Sequence, residues 1–212
     1  MIIDFSELGD GQTFEYFCGA FLSKFGFIIE KNGSIGPDGG CDLIVSEPSI
    51  VNKNVRYRWL VSCKNFSKSK KSVSANDLSL NRGLLDKFKC HGVMVLATTQ
   101  FTNGCEDNLR GIFSDIRDSF VLINCLDIEK ELLRDLKYCY LLKQYFPKSY
   151  NKLVKISKES CKCGQSEQSY ILTTRGFGLD TQIYEYLVCD ICKSMNTPQA
   201  HECDFYFHEI GY

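Results

Sequence analysis

Cys41-Asp42-Leu43-Ile44-Val45 and Val55-Arg56-Tyr57-Arg58-Trp59-Leu60-Val61-Ser62-Cys63-Lys64 decide the fold. Both read as strands. In the longer one Val55, Tyr57, Trp59, Val61 and Cys63 share one face, and Arg56, Arg58, Leu60, Ser62 and Lys64 share the other, because side chains alternate along a strand. A loop with Pro48 and Asn52 lies between them, so the pair reads as an antiparallel hairpin whose last residues stand beside the Asp42 strand.

Upstream, Phe14, Phe17, Cys18, Phe21, Leu22 and Phe25 recur at i, i+3, i+4, i+7, i+8 and i+11, which predicts an amphipathic helix over residues 10–25. Asp10 is placed to cap it and Gly26 to end it. Phe27 to Glu30 reads as a short strand, and Lys31 to Gly40 as a Gly-rich turn region. Downstream, the pattern predicts helices over 76–89, 103–113 and 127–142 and strands over 92–97 and 120–124. The unbroken apolar run Gly92-Val93-Met94-Val95-Leu96-Ala97 suits a strand buried on both faces. Alternating β and α elements after an initial hairpin imply an α/β fold with a mixed sheet flanked by helices. A boundary is expected near Phe146-Pro147-Lys148-Ser149, giving a domain over 1–146 and a small β-rich module over 155–212.

Composition narrows the function classes. The 212 residues carry a formal net charge of -1, which excludes a strongly basic mode of nucleic-acid binding but not a local basic face. No signal peptide is read at the N-terminus, and no apolar stretch reaches the roughly 20 residues of a membrane helix. The expected compartment is the cytoplasm. Of the twelve cysteines, Cys18, Cys41, Cys63, Cys90, Cys105, Cys125 and Cys139 are scattered among apolar neighbours and read as small buried hydrophobes.

Three pieces then occur in order: Glu15 on the first helix, Gly36-Pro37-Asp38-Gly39-Gly40-Cys41-Asp42 entering a strand, and Ser62-Cys63-Lys64 ending the next. Phosphodiester hydrolysis needs a divalent cation to polarise phosphate and activate water. Mg²⁺ prefers oxygen donors and keeps several waters. Asp42 offers a carboxylate and Cys63 a backbone carbonyl, while Lys64 can orient or deprotonate the attacking water. Glu15 could reach the cation through a water. Asp38 reads as a turn residue.

This order resembles the Mrr-type branch of PD-(D/E)xK restriction endonucleases, in which a helix with Phe-Glu precedes a Gly-rich turn ending Gly-x-Asp and then a strand closing on an acid or glutamine, a spacer and lysine. Val93 to Phe101-Thr102 fits the later apolar strand and loop of that family, so the resemblance covers residues 9 to 135. It implies a restriction-endonuclease-like fold, Mg²⁺ or Mn²⁺ as cofactor, DNA as substrate and a defence setting with a partner protein. Ser62 departs from the pattern, since it stands where the family has Glu, Asp or Gln. That departure implies a weak cation site, a second acid recruited from elsewhere (Glu30 and Glu47 being candidates), or a DNA-binding or protein-interaction module that has lost catalysis.

Lys68, Lys70 and Lys71, interleaved with Ser67, Ser69 and Ser72, suit phosphate contacts that give affinity without sequence information. Arg56 and Arg58 are placed to add to that basic field. In the tail, Cys161-Lys162-Cys163 and Cys189-Asp190-Ile191-Cys192 form two tight pairs, and four thiolates make a closed structural Zn²⁺ site. The pattern resembles a zinc ribbon, with His201, Cys203 and His208 as spare ligands. Cutting both strands of a duplex with one site per chain would suit a two-fold homodimer.

Overall fold

The computed structural model describes residues 1–31, 41–47, 57–113, 120–134, 136–156, 168–175 and 182–189. The chain divides into two compact units, residues 5–128 and residues 1–4 with 129–212. No helix among the described residues is long and apolar enough to cross a membrane.

The first unit is built on a five-stranded sheet in the order β1-β2-β3-β4-β5, comprising Ile28–Lys31, Leu43–Ser46, Arg58–Lys64, Gly92–Ala97 and Phe120–Ile123. β1, β2 and β3 run antiparallel, with Leu43 opposite Val61 and Ser46 opposite Arg58. β4 and β5 continue the sheet in parallel, with Ser62 opposite Val95 and Lys64 opposite Ala97. The expected hairpin and the expected mixed sheet are both present. β4 is buried along its whole length, as its unbroken apolar run requires.

Helix α1, Gly11–Lys24, forms where the apolar spacing predicts it. The Asp10 side chain caps it by accepting from the Thr13 N–H at 2.7 Å. Gly26, at φ 103°, supplies the left-handed turn that separates it from β1. Phe14, Phe17, Cys18, Phe21 and Leu22 are buried, each large apolar side chain worth roughly 1.5–3 kcal/mol relative to exposure. Phe25 falls beyond the last turn and stays exposed.

The segment read as one helix over 76–89 is divided. Ser74 and Asp77 form a capping box around a single 3-10 turn, Ala75–Asp77, and the chain is then extended at Leu78. Asn81 caps a fresh helix, α2, Arg82–Phe88. Helix α3, Asn103–Ile112, is capped by Thr102. Leu80 and Leu85 join Ile44, Leu60, Val93, Val95, Leu109 and Phe113 in one apolar cluster.

Helix α4, Cys125–Arg134, follows β5. The segment read as one helix over 127–142 also breaks, into α4, a 3-10 turn at Leu136–Tyr138 and α5, Cys139–Tyr145.

In the second unit Glu129 is buried and accepts the N–H groups of Ile2 and Ile3, both at 2.7 Å. Ser149 accepts the Asp4 N–H at 2.9 Å. Phe146 is the junction between α5 and α6, Pro147–Leu153, so Pro147, Lys148 and Ser149 open the second helix. Three strands follow, β6 (Val154–Ile156), β7 (Gln168–Arg175) and β8 (Gln182–Cys189), in the order β6-β8-β7. β7 and β8 are antiparallel, with Gln168 opposite Cys189 and Arg175 opposite Gln182.

Candidate active site

The strand β3 lies in the middle of the first unit's sheet, and its backbone alternates between two neighbours. Arg58 and Lys64 present their carbonyls to β4, where His91 and Thr98 donate to them at 2.8 and 3.1 Å. Tyr57 and Val61 present theirs to β2, where Glu47 and Asp42 donate, each at 2.9 Å. β2 begins at Leu43, so the Cys63 N–H has passed the paired part of its neighbour. The Asp42 carboxylate takes that N–H at 2.5 Å. By the same alternation the Cys63 carbonyl faces the Asp42 side of the strand.

Glu15, on α1, completes the cluster. Burial pushes its carboxyl above the ordinary value, the nearby Asp42 carboxylate pushes the same way, and Lys64 pulls it down. Asp10 adds a smaller upward push. Two carboxylates and one ammonium from three different elements thus share one field at the C-terminal end of β3. In open α/β sheets this is the end at which ligands bind.

The Cys63 thiol lies on the opposite face from Lys64 and meets Cys18 of α1. Both thiols are fully buried, and their contact with burial pushes Cys63 well up. They are packing groups here, as are buried Cys41, Cys105 and Cys125.

Ser62 shares its face with Leu60 and stands opposite Val95, both members of the apolar cluster. Its relative exposure is 1%, and its hydroxyl has no hydrogen-bond partner among the described residues. The other acids weighed for its role are engaged elsewhere. Glu30 pairs with Arg58 at 2.8 Å, and Glu47 accepts the Trp59 indole N–H at 2.8 Å. Both partners lie at the far end of β3, Arg58 roughly 20 Å and Trp59 roughly 17 Å from Lys64 at about 3.3 Å per residue. Arg58 is correspondingly a structural residue rather than part of a basic field at the site, and it also donates to the Phe88 and Lys89 carbonyls. Asp38 and Arg56 lie outside the described residues.

The Lys/Ser loop after β3 is firmly tied. Val73 pairs with Phe101, its N–H reaches the Gln100 carbonyl, and its carbonyl takes the Thr102 N–H. Lys71 is paired with Asp77 at 2.9 Å. Lys68 and Lys70 are exposed; the Asp10 carboxyl is held below its ordinary value first by its hydrogen bonds with Thr13, with a smaller pull from Lys68.

Three residues that sequence reading left out or saw only as caps join the site. Asn65 donates to the Asp10 carbonyl at 2.8 Å. Thr98, buried at the end of β4, accepts the Phe66 N–H at 2.8 Å. Asp10 lies at their junction with α1. The only sequence signal was position: a polar residue directly after a strand's last lysine, and a hydroxyl ending an otherwise apolar strand.

Cys161, Cys163 and Cys192 lie outside the described residues, and Cys189 ends β8. Among the described residues no three or more His, Cys, Asp or Glu side chains gather closely enough to hold a metal ion by themselves.

Comparison with known proteins gives one match. The restriction endonuclease family Mrr_cat matches residues 8–124, more than half of the chain and nearly the whole five-stranded unit. Neither the curated proteins nor the solved structures yield a match. The order of α1, the β2–β3 hairpin and the parallel β3-β4-β5 half, together with the match across them, makes this chain a member of the Mrr-type restriction endonuclease family.

Proposed function

We propose that the chain is a divalent-cation-dependent DNA endonuclease that hydrolyses phosphodiester bonds in restriction-type defence. The observation that carries the reading is the convergence of Glu15, Asp42 and Lys64 at the end of β3. The donor set fits a hard cation: two carboxylates and a backbone carbonyl, all oxygen, suit Mg²⁺ or Mn²⁺, which need few protein ligands and keep waters. Asp42, Glu15 and the Cys63 carbonyl would hold the ion. Bound there, a cation polarises the scissile phosphate and lowers the pKa of water. Lys64 orients the attacking water and offsets the negative charge that builds on phosphorus. Lys68 and Lys70 bind flanking phosphates, with Lys71 available once it leaves Asp77. Purified protein with Mg²⁺ or Mn²⁺ should nick or cut DNA, and Lys64→Ala should remove that activity with the circular dichroism spectrum unchanged. Undiminished cleavage by Lys64→Ala would remove the assignment.

A second reading has its own observation. Ser62, buried and without a hydrogen-bond partner among the described residues, leaves the site one acid short of the family pattern, which favours a protein that binds DNA and cleaves it slowly or not at all. Salt-dependent DNA binding without Mg²⁺-dependent cleavage selects it.

For the tail, structural zinc is the proposal that the hairpin supports. Gln168 stands opposite Cys189, so one pair of cysteines precedes and the other follows the same end of β7 and β8. Elemental analysis should give about one zinc per chain, released by Cys192→Ser. A zinc-free protein with an intact hairpin would sink it.

A further inference from the structure

We propose that Asn65 is a positioning residue that sets the gap between Glu15 on α1 and Lys64 on β3. The inference rests on the nuclease reading of that site and adds to it the part that fixes its geometry.

Asn65 follows Lys64 directly and uses both ends of its amide. Its Nδ2 donates to the main-chain carbonyl of Asp10 at 2.8 Å. Asp10 caps α1, so this bond ties the start of the Glu15 helix to the end of β3. Its Oδ1 accepts from the Ser67 N–H at 3.1 Å, the Ser67 hydroxyl at 2.7 Å and the Thr98 hydroxyl at 3.3 Å. Thr98 in turn donates its N–H to the Lys64 carbonyl at 3.1 Å and accepts the Phe66 N–H at 2.8 Å. The Lys64 main chain is thereby fixed from β4 and the Asn65 side chain is held from the loop. The Nδ2 bond carries this frame across to α1. An amide suits the double role, because one of its atoms donates while the other accepts, on a stem too short to swing.

The consequence falls on Glu15. It stands on α1 five residues after Asp10, so its place depends on how closely the start of that helix approaches the end of β3. When the Nδ2 bond is lost, the first turn of α1 is released from β3 and Glu15 gains water. A hydroxyl at position 65 can still bond locally to Ser67 but cannot span to Asp10. Displacements of about 1 Å in a catalytic group can cost about a hundredfold in rate.

The test uses the full chain with Asn65→Ala, Asn65→Ser and Asn65→Gln. The first readout is amide hydrogen exchange of Thr13 and Phe14, whose N–H groups bond to Asp10 at the start of α1, and it needs no activity. Exchange there should quicken in Asn65→Ala and Asn65→Ser as the start of α1 is released, and slow back toward wild type in Asn65→Gln, which keeps the amide. The second readout is Mg²⁺-dependent cleavage, where kcat should drop about tenfold to a hundredfold with KM for DNA little changed. If wild type neither cleaves nor binds Mg²⁺, the nuclease reading fails, and the exchange rates still decide the role of Asn65. Wild-type exchange of Thr13 and Phe14 in folded Asn65→Ala or Asn65→Ser overturns the inference. So does loss of fold in all three variants, since that assigns Asn65 to general stability.

Discussion

The two ends of β3 carry similar residues to opposite purposes. At its start, Arg58 is enclosed by Glu30 and the Phe88 and Lys89 carbonyls, and neighbouring Trp59 by Glu47. These charges are complemented. At its end, Glu15 feels two carboxylates, Asp42 and Asp10, against the one ammonium of Lys64, and a buried hydroxyl has no partner among the described residues. A fold could have matched the second end as it matched the first. The surplus of negative charge with too few donors is what a site for a cation and a phosphate requires before they arrive.

The comparison breaks most decisively at Asp42. Its carboxylate has two duties: it accepts the Cys63 N–H at the point where β2 ends, and it supplies charge. Asp42→Asn keeps the acceptor and removes the charge. It should fold like wild type yet lose cleavage on the order of a hundredfold or more. Asp42→Ala should lose cleavage and stability together. The opposite end gives the control. Arg58→Ala uncovers two carbonyls and Glu30, and should cost about 1–3 kcal/mol in urea unfolding while leaving kcat intact. A fully active Asp42→Asn, or an inactive but stable Arg58→Ala, would erase the contrast.

A smaller effect lies in pH. The Glu15 carboxyl is raised, first by burial and then by Asp42. The folded state therefore holds that proton more tightly than the unfolded chain does. Its ionisation opposes folding as pH climbs from the unfolded value through the raised folded one. A cation relieves this cost, and proton and cation compete for the same oxygens. The rise in Tm on adding Mg²⁺ should be full above that window and shrink as pH falls through it. The apparent affinity should change by up to about tenfold per pH unit inside it. Glu15→Gln should flatten the profile. The same profile in Glu15→Gln would assign the titration to another group.

The fold was legible because its signals were strong and local. The apolar stripe of α1, its Asp10 cap and Gly26 stop, and the unbroken run of β4 each admit one reading. The helices over 76–89 and 127–142 were over-read. In the first, the physical reason is plain: polar residues inside an apolar pattern, Ser74 with Asp77, and Asn81, bond to nearby backbone and restart the chain rather than extend the helix. For the proposed site, Asp42, Glu15 and Lys64 came from order, spacing and the family resemblance together. Asn65 and Thr98 did not, because their partners are 55 and 32 residues away and no periodicity marks such a bond. The engagement of Glu30 and Glu47 was equally hidden, since it depends on which end of β3 each one meets.

Ser62 gives the finest test of the contrast, because it lies on the Lys64 face and yet is packed with Leu60 and Val95. Its hydroxyl is buried without a partner among the described residues, a state that costs about 1–3 kcal/mol when a group gives up water for nothing. Ser62→Ala should therefore leave cleavage unchanged and raise stability by up to about 1 kcal/mol, after the small gap left by the oxygen is allowed for. Ser62→Glu sets a carboxylate in the same place. Without cation it should lower Tm, since a buried unpaired charge has no compensation there. Its longer stem shares the strand face of Lys64, so Mg²⁺ should restore part of the loss and raise Tm more than it does in wild type. The measurement is a pair of thermal unfolding curves for each protein, with and without Mg²⁺. An equal Mg²⁺ increment in Ser62→Glu and wild type would mean that position 62 belongs to the core cluster alone. The second acid of this site would then have to come from α1.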